Sequence, residues 1–252
     1  MRITLSVGLL FAVLLAAPVA VSAQTTDNTW LWNGAHVGIN LGWGSGNDPG
    51  TTQCTSAGIA NGTGCIEPIY LGGMRPSGIL GGGQLGWDSA GNGALFGVEA
   101  DFQASDIGGS RGYSGTIQDI GTGSVPNIHL YASQHQNWFS TVRVRVGVLM
   151  ASRSLLYLTG GFAEGSETLS TNDGNSTQSY SGTTTTTQPG WVGGAGYEWR
   201  LSKRTTARVE VLDYWLRPYT QLVGTTPATP FMVGKDFYFS GAIVRVGMNW
   251  RI

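Results

Sequence analysis

The stretch TVRVRVGVLM, residues 141–150, alternates valine with arginine: Val142, Arg143, Val144, Arg145, Val146. Successive side chains of a strand point to opposite faces, so the segment offers one apolar face and one cationic face. In a water-soluble sheet the valines would cover a core and the arginines would meet water. In a membrane barrel the valines would meet lipid and the arginines would point into the lumen. The rest of the chain decides between the two.

The N-terminus places Arg2 before an apolar run from Ile3 to Ala17, followed by Pro18 and the small-residue triplet Val21-Ser22-Ala23. That pattern predicts a secretory signal peptide over residues 1–23, cut before Gln24, and a mature domain over 24–252. The run is shorter than the roughly 20 residues of a spanning helix, and no later segment is long and apolar enough for one. Cys54 and Cys65 bracket CTSAGIANGTGC, with a turn signal at Asn61-Gly62. In an exported chain the expected state is a disulfide closing a loop. No histidine or acid lies between the cysteines to suggest zinc, and neither a metal nor a cofactor is expected elsewhere. The formal net charge of −1 and the absence of a basic block argue against nucleic acid as a partner.

Forty glycines and 12% charged residues would suit a disordered chain, but nine tryptophans and 10% aromatic residues do not. Eight segments alternate with period two. The first, AHVGINLGW, sets Val37, Ile39, Leu41 and Trp43 against His36 and Asn40. GILGGGQLGW follows, ending in Trp87, and ALFGVEADFQAS sets Phe96, Val98 and Phe102 against Glu99, Asp101 and Gln103. The fourth holds the opening stretch. LLYLTGGFAE is the weakest, because Tyr157 falls on its otherwise polar side. WVGGAGYEW, TTARVEVL and the terminal strand from about Phe237 complete the set.

The connections sort by length. DSAGNG (88–93), MASRS (150–154) and RLSKR (200–204) are short, whereas 44–77, 106–135, 165–189 and 216–235 are long, and the two kinds alternate. Short turns at one end, long loops at the other and an even strand number describe an all-β, eight-stranded antiparallel transmembrane up-and-down β-barrel. A soluble barrel with these strands would expose mainly glycine and few charges, a poor surface for solubility. Inside a narrow lumen, glycine instead leaves room for long side chains. Tryptophan adds a third argument. Trp30 and Trp32, with Trp87, Trp199 and Trp250, are expected at the periplasmic boundary, and Trp43, Trp138, Trp191 and Trp215 at the outer one.

NWFSTVRVRVG (137–147), TGGFAEG (159–165), GWVGGAGYEW (190–199), ARVEVLDYW (207–215) and the terminal VRVGMNWRI resemble the small outer-membrane immunogenic proteins of alphaproteobacteria. That porin-like family shares its barrel type with the OmpA transmembrane domain, and the resemblance runs in order along the mature chain. It implies residence in the outer membrane of a Gram-negative bacterium, among lipid and lipopolysaccharide, after insertion by the outer-membrane assembly machinery through the C-terminal strand. Family members usually end in Phe, part of the assembly signal; this chain ends in Ile252, with Met248 and Trp250 keeping the apolar alternation.

Three features carry candidate chemistry. Gly81, Gly83 and Gly86 have G-x-G-x-x-G spacing, but a turn follows where a dinucleotide site needs a helix. His129 and His135 flank Ser133 in HLYASQH without an identifiable orienting group, so the chain reads as non-enzymatic. His36 is expected to hydrogen-bond inside the lumen. The most informative set is the lumen charge network: acids Glu99, Asp101, Glu198 and Glu210, bases Arg143, Arg145, Arg208, Arg245 and Arg251. A selectivity ring would favour one sign. Mixed signs predict a packed polar plug held by Arg–carboxylate bonds. The expected role is envelope integrity and surface presentation; the alternatives are a narrow diffusion porin, or haemin or host-surface binding through outer loops, with His129 and His135 the hook for haemin. SGTTTTTQPG (181–190) is expected to be a hydrated loop.

Overall fold

A computed structural model describes residues 32–49, 51–54, 73–119, 123–150, 153–174, 179–224 and 232–252. The strands are β1 (Gly34–Gly46), β2 (Thr51–Cys54), β3 (Ser77–Gly91), β4 (Ala94–Asp119), β5 (Gly123–Met150), β6 (Ser154–Gly174), β7 (Ser179–Arg200), β8 (Thr205–Gly224) and β9 (Met232–Arg251). Eight of them pair antiparallel with their neighbours, and β1 closes on β9, for example Ile39 opposite Met248. The short β2 extends β9 outside this ring.

Side-chain facing follows the alternation read from the sequence. Val142, Val144 and Val146 are exposed on the outer wall, as are Ile39, Leu41, Phe96, Phe102 and Val246, while Arg143 and Arg145 are buried inside. Where each of the eight strands pairs with both neighbours, ring closure leaves no free edge and the backbone pairs without water. Above that span, β3 stops pairing with β4 at Ser77–Gly108 and β7 with β8 at Gly190–Leu216, and the hairpins run on beyond. Trp43, Trp191 and Trp215 sit outward at one end of the apolar band, and Phe102 stacks on Trp138 there at 5.7 Å. Trp87 and Trp250 sit outward at the other.

The structure corrects four expectations. First, most of the long connections are strand. β4 and β5 pair as far as Asp119 opposite Gly123, β6 and β7 as far as Gly174 opposite Ser179, and β8 and β9 as far as Gly224 opposite Met232. SGTTTTTQPG therefore lies within β7 and is no loop. Its threonines are β-branched and alternate faces, which favours a strand over the coil suggested by low complexity. Second, DSAGNG shrinks to a two-residue turn, with Asn92 and Gly93 both at positive φ (52° and 81°). This is the primed geometry that asparagine-glycine serves in tight hairpins.

Third, Trp32 is not in a girdle. It is buried in the lumen mouth at the end with the short turns, packed with Leu95, Leu155 and Tyr157. Fourth, the inward face is not uniformly polar. Towards the hairpin end it carries Leu80, Ile107, Phe139, Leu212, Tyr214, Phe237, Phe239 and Ile243, which form one apolar cluster. Trp30, the predicted signal peptide and Cys65 lie outside the described residues. For Cys54 the description covers the backbone alone.

Candidate functional site: the charged lumen

Each lumen strand contributes inward residues two apart, and antiparallel register brings acids opposite bases. Glu99 on β4 pairs in register with Arg143 on β5, and Glu210 on β8 with Arg245 on β9. Glu99 is the hub. It accepts from Arg143 Nη2 (2.6 Å), Arg145 Nη1 (3.0 Å) and Arg208 Nη1 (2.5 Å), and His36 Nε2 lies 3.4 Å away. Arg143 also donates to Asp101 (2.8 Å) and Glu210 (3.3 Å), Arg145 to Glu198 (2.6 Å), and Arg245 to Glu210 (2.6 Å) and Asp101 (3.0 Å). Arg251, nearer the turn end, donates to Asp88 (2.7 Å) and to the Gly34 carbonyl.

All nine charged positions read from the sequence thus face inward. Those from Glu99 to Arg245 share one buried network, and Arg251 joins the same lumen through Asp88. Sequence reasoning missed Asp88 by assigning it to a turn. Yet it continues the inward parity of Gln84 and Gly86 along β3, which was the available signal. Among the described residues it brings the belt to five acids against these five arginines. Tyr157 was the anomaly of its segment. Its hydroxyl donates to Glu210 (2.7 Å), and the Arg145 guanidinium lies 4.3 Å from its ring centroid. A phenol on the polar side is therefore a member of the network, not a flaw in the pattern.

Uncharged groups complete the layer. Thr141 donates to Asp101 and accepts from Arg143 Nε, both at 2.9 Å, and Thr206 donates to Glu198 at 2.5 Å. Gln84 links Asn40 and Asn249 at 2.5 and 2.8 Å. Glycine provides the room. A Cβ on Gly86 would stand 2.6 Å from the His36 ring, and one on Gly196 would overlap Tyr157. The belt lies between the two apolar clusters, and charge-assisted bonds are stronger in such low-dielectric surroundings than in water.

The three histidines each meet different partners. His36 is buried between Asp88 and Glu99 at 3.4 Å from each. His129 bonds Ser114 (2.9 Å) and His135 bonds Asp106 (2.8 Å), on the hairpin extension rather than in a loop. Gly81, Gly83 and Gly86 lie in the middle of β3, with no helix after them. Among the described residues no cluster of three metal-ligating side chains occurs.

Beyond the girdle, where Glu164 turns the outer wall of β6 polar, Glu167 points inward. Burial pushes its carboxyl up to about 8, although Gln136 donates to it at 2.9 Å and pulls the other way. Unfolded, this group titrates near 4.5. The folded state thus keeps a proton that the unfolded chain releases. Its contribution is complete below pH 4.5 and is lost as pH rises through 8, by up to about 1.4 kcal/mol per pH unit in between. Glu167→Gln is expected to remove this part of the pH dependence and to be the more stable protein at pH 9, as read by denaturant midpoints at pH 5, 7 and 9.

A closed ring of eight antiparallel strands with an apolar outer band, aromatic girdles and an ionic interior defines a β-barrel membrane protein. The chain belongs to the outer membrane protein β-barrel domain family, whose model matches residues 9–249. It is 28% identical over 251 residues to the 31 kDa outer-membrane immunogenic protein of Brucella melitensis biotype 1, covering 95% of this chain and 91% of that one; the Brucella suis biovar 1 protein matches equally. Among solved structures it is similar to the outer membrane protease OmpT from Escherichia coli (11% identity, 87% of this chain and 97% of that one, TM-score 0.47). The outer membrane protein OprG from Pseudomonas aeruginosa scores alike (10%, 87% and 96%, 0.47). The protein resides in the outer membrane of a Gram-negative bacterium.

Proposed function

We propose that this barrel is a non-conducting, non-enzymatic envelope protein that anchors surface-presented hairpins, with its hairpin end outside the cell and its short turns in the periplasm. The observation that carries this reading is the layering of the lumen. A charge-matched belt fills the middle, Trp32 with Leu95 and Leu155 closes one end, and the Phe139–Tyr214 cluster fills the other. A diffusion pore needs a continuous wet path, and in an eight-stranded ring the side chains occupy that space.

The test is ion conductance of the refolded protein in planar bilayers. No stable channels are expected from the wild type or from Trp32→Ala, because the belt and the hairpin-end cluster remain in the variant. Steady single-channel steps from the wild type would establish the porin alternative. The same reading includes an exported precursor cut before Gln24, a Cys54–Cys65 disulfide in the first external connection and insertion through the C-terminal strand. Intact mass of protein taken from outer membranes reads the cleavage and the oxidation together.

A further inference from the structure

Above the girdle, the outward positions of β4 to β7 form a sheet face unlike the wall below it. Register aligns His135, Thr168 and Thr185 in one row, and Ser133, Ser170 and Thr183 in the next. Ser110 continues the second row on β4, and the exposed ring of Tyr131 stands at its margin. No Asp, Glu, Lys or Arg occupies these rows, whereas a surface kept soluble by water alone is ordinarily about a quarter to a third charged. The hydroxyls are already ordered in pairs: Thr168 Oγ1 with Thr185 Oγ1 and Ser170 Oγ with Thr183 Oγ1, each at 3.1 Å. Asn137 Nδ2 donates to Thr168 at 2.9 Å, and Asp106 holds the His135 ring at 2.8 Å.

We infer that this face docks the core oligosaccharide of the lipopolysaccharide packed around the barrel. Three observations select that occupant. The face continues the lipid-facing wall on the same strand and parity: Trp191 in the girdle and Thr187, Thr185 and Thr183 above it all point outward along β7. Thr185 lies six residues beyond Trp191, roughly 20 Å along the strand, above the lipid boundary that the girdle marks and on its sugar side. The chemistry also matches. Each hydroxyl both donates and accepts, as sugar hydroxyls do, and an exposed tyrosine offers an apolar ring to a pyranose face. Pre-ordered pairs lower the entropy lost on binding. Phosphate-rich portions of the glycolipid would call for an arginine cluster, which these rows lack.

The inference rests on the hairpin end being external. Biotinylation of Thr185→Cys on intact cells reads that orientation separately. Docking is read by amide hydrogen exchange of the refolded full chain in vesicles containing either core-bearing lipopolysaccharide or lipid A alone. Core sugars are expected to slow exchange of peptides covering 128–137 and 181–187 by about fivefold, a local stabilisation within the range of sub-global opening. Ser170→Ala/Thr183→Ala, which removes one hydroxyl pair, is expected to lose most of that difference while keeping its denaturant midpoint. Should the double variant fail to insert, Thr185→Val carries the same comparison. Equal exchange in the two vesicle types, or a sugar effect unchanged in the variants, would overturn the assignment.

Discussion

Replacing Glu99 with Gln is expected to lower the stability of the inserted barrel by about 3–5 kcal/mol, the range for breaking a buried ion pair from one side. Glu99 is the acceptor shared by Arg143, Arg145 and Arg208, and all four side chains are buried. The isosteric amide keeps the volume but leaves the belt with one positive charge in excess, away from water. Arg208→Gln in the Glu99→Gln background restores the balance of charge. It is expected to recover part of the loss, a coupling that a double-mutant cycle isolates. Urea titration of the four proteins in lipid vesicles, under conditions of reversible folding, measures both effects. Additive losses would show that charge balance is not what holds the belt together.

Val144→Arg is expected to cost roughly 2–4 kcal/mol for a different reason, the transfer of a cation to the bilayer midplane. Val144 is exposed on the outer wall opposite Val98 and Gly160, midway between Trp138 and Met150. Arginine is already present one position away on each side, so the residue type alone cannot explain the cost. Its facing does. No substitution in the lumen should rescue this variant, whereas Arg143→Val should be partly rescued by Asp101→Asn. The same urea titration distinguishes the two kinds of loss.

The barrel was legible because its two signals are periodic and local. Valine–arginine alternation fixes facing residue by residue, and sorted connection lengths fix the up-and-down order. The belt was legible for the same reason: an inward acid such as Glu99 and an inward base such as Arg143 need only adjacent strands to meet. What escaped the sequence depends on depth and on strand ends. Phe139 and Ile243 point inward near the hairpin end, where alternation supplies the face but not whether the lumen there is wet or packed. Trp32 precedes β1, and its entry into the mouth beside Arg251 comes from tertiary packing that no period announces. Residues 106–135 read as a loop because Gly108, Gly109, Gly112 and Gly115 interrupt the alternation, although pairing with β5 continues across them.

Which way residues 141–150 face decides between a membrane barrel and a soluble one. A nitroxide attached to Val144→Cys, in protein refolded into vesicles with the native cysteines oxidised, reports its surroundings through power saturation. The label is expected to be reached readily by oxygen, which concentrates in lipid, and poorly by a water-soluble nickel chelate. The reverse, with nickel access exceeding oxygen access at Val144, would place the valine wall in water and contradict the membrane barrel.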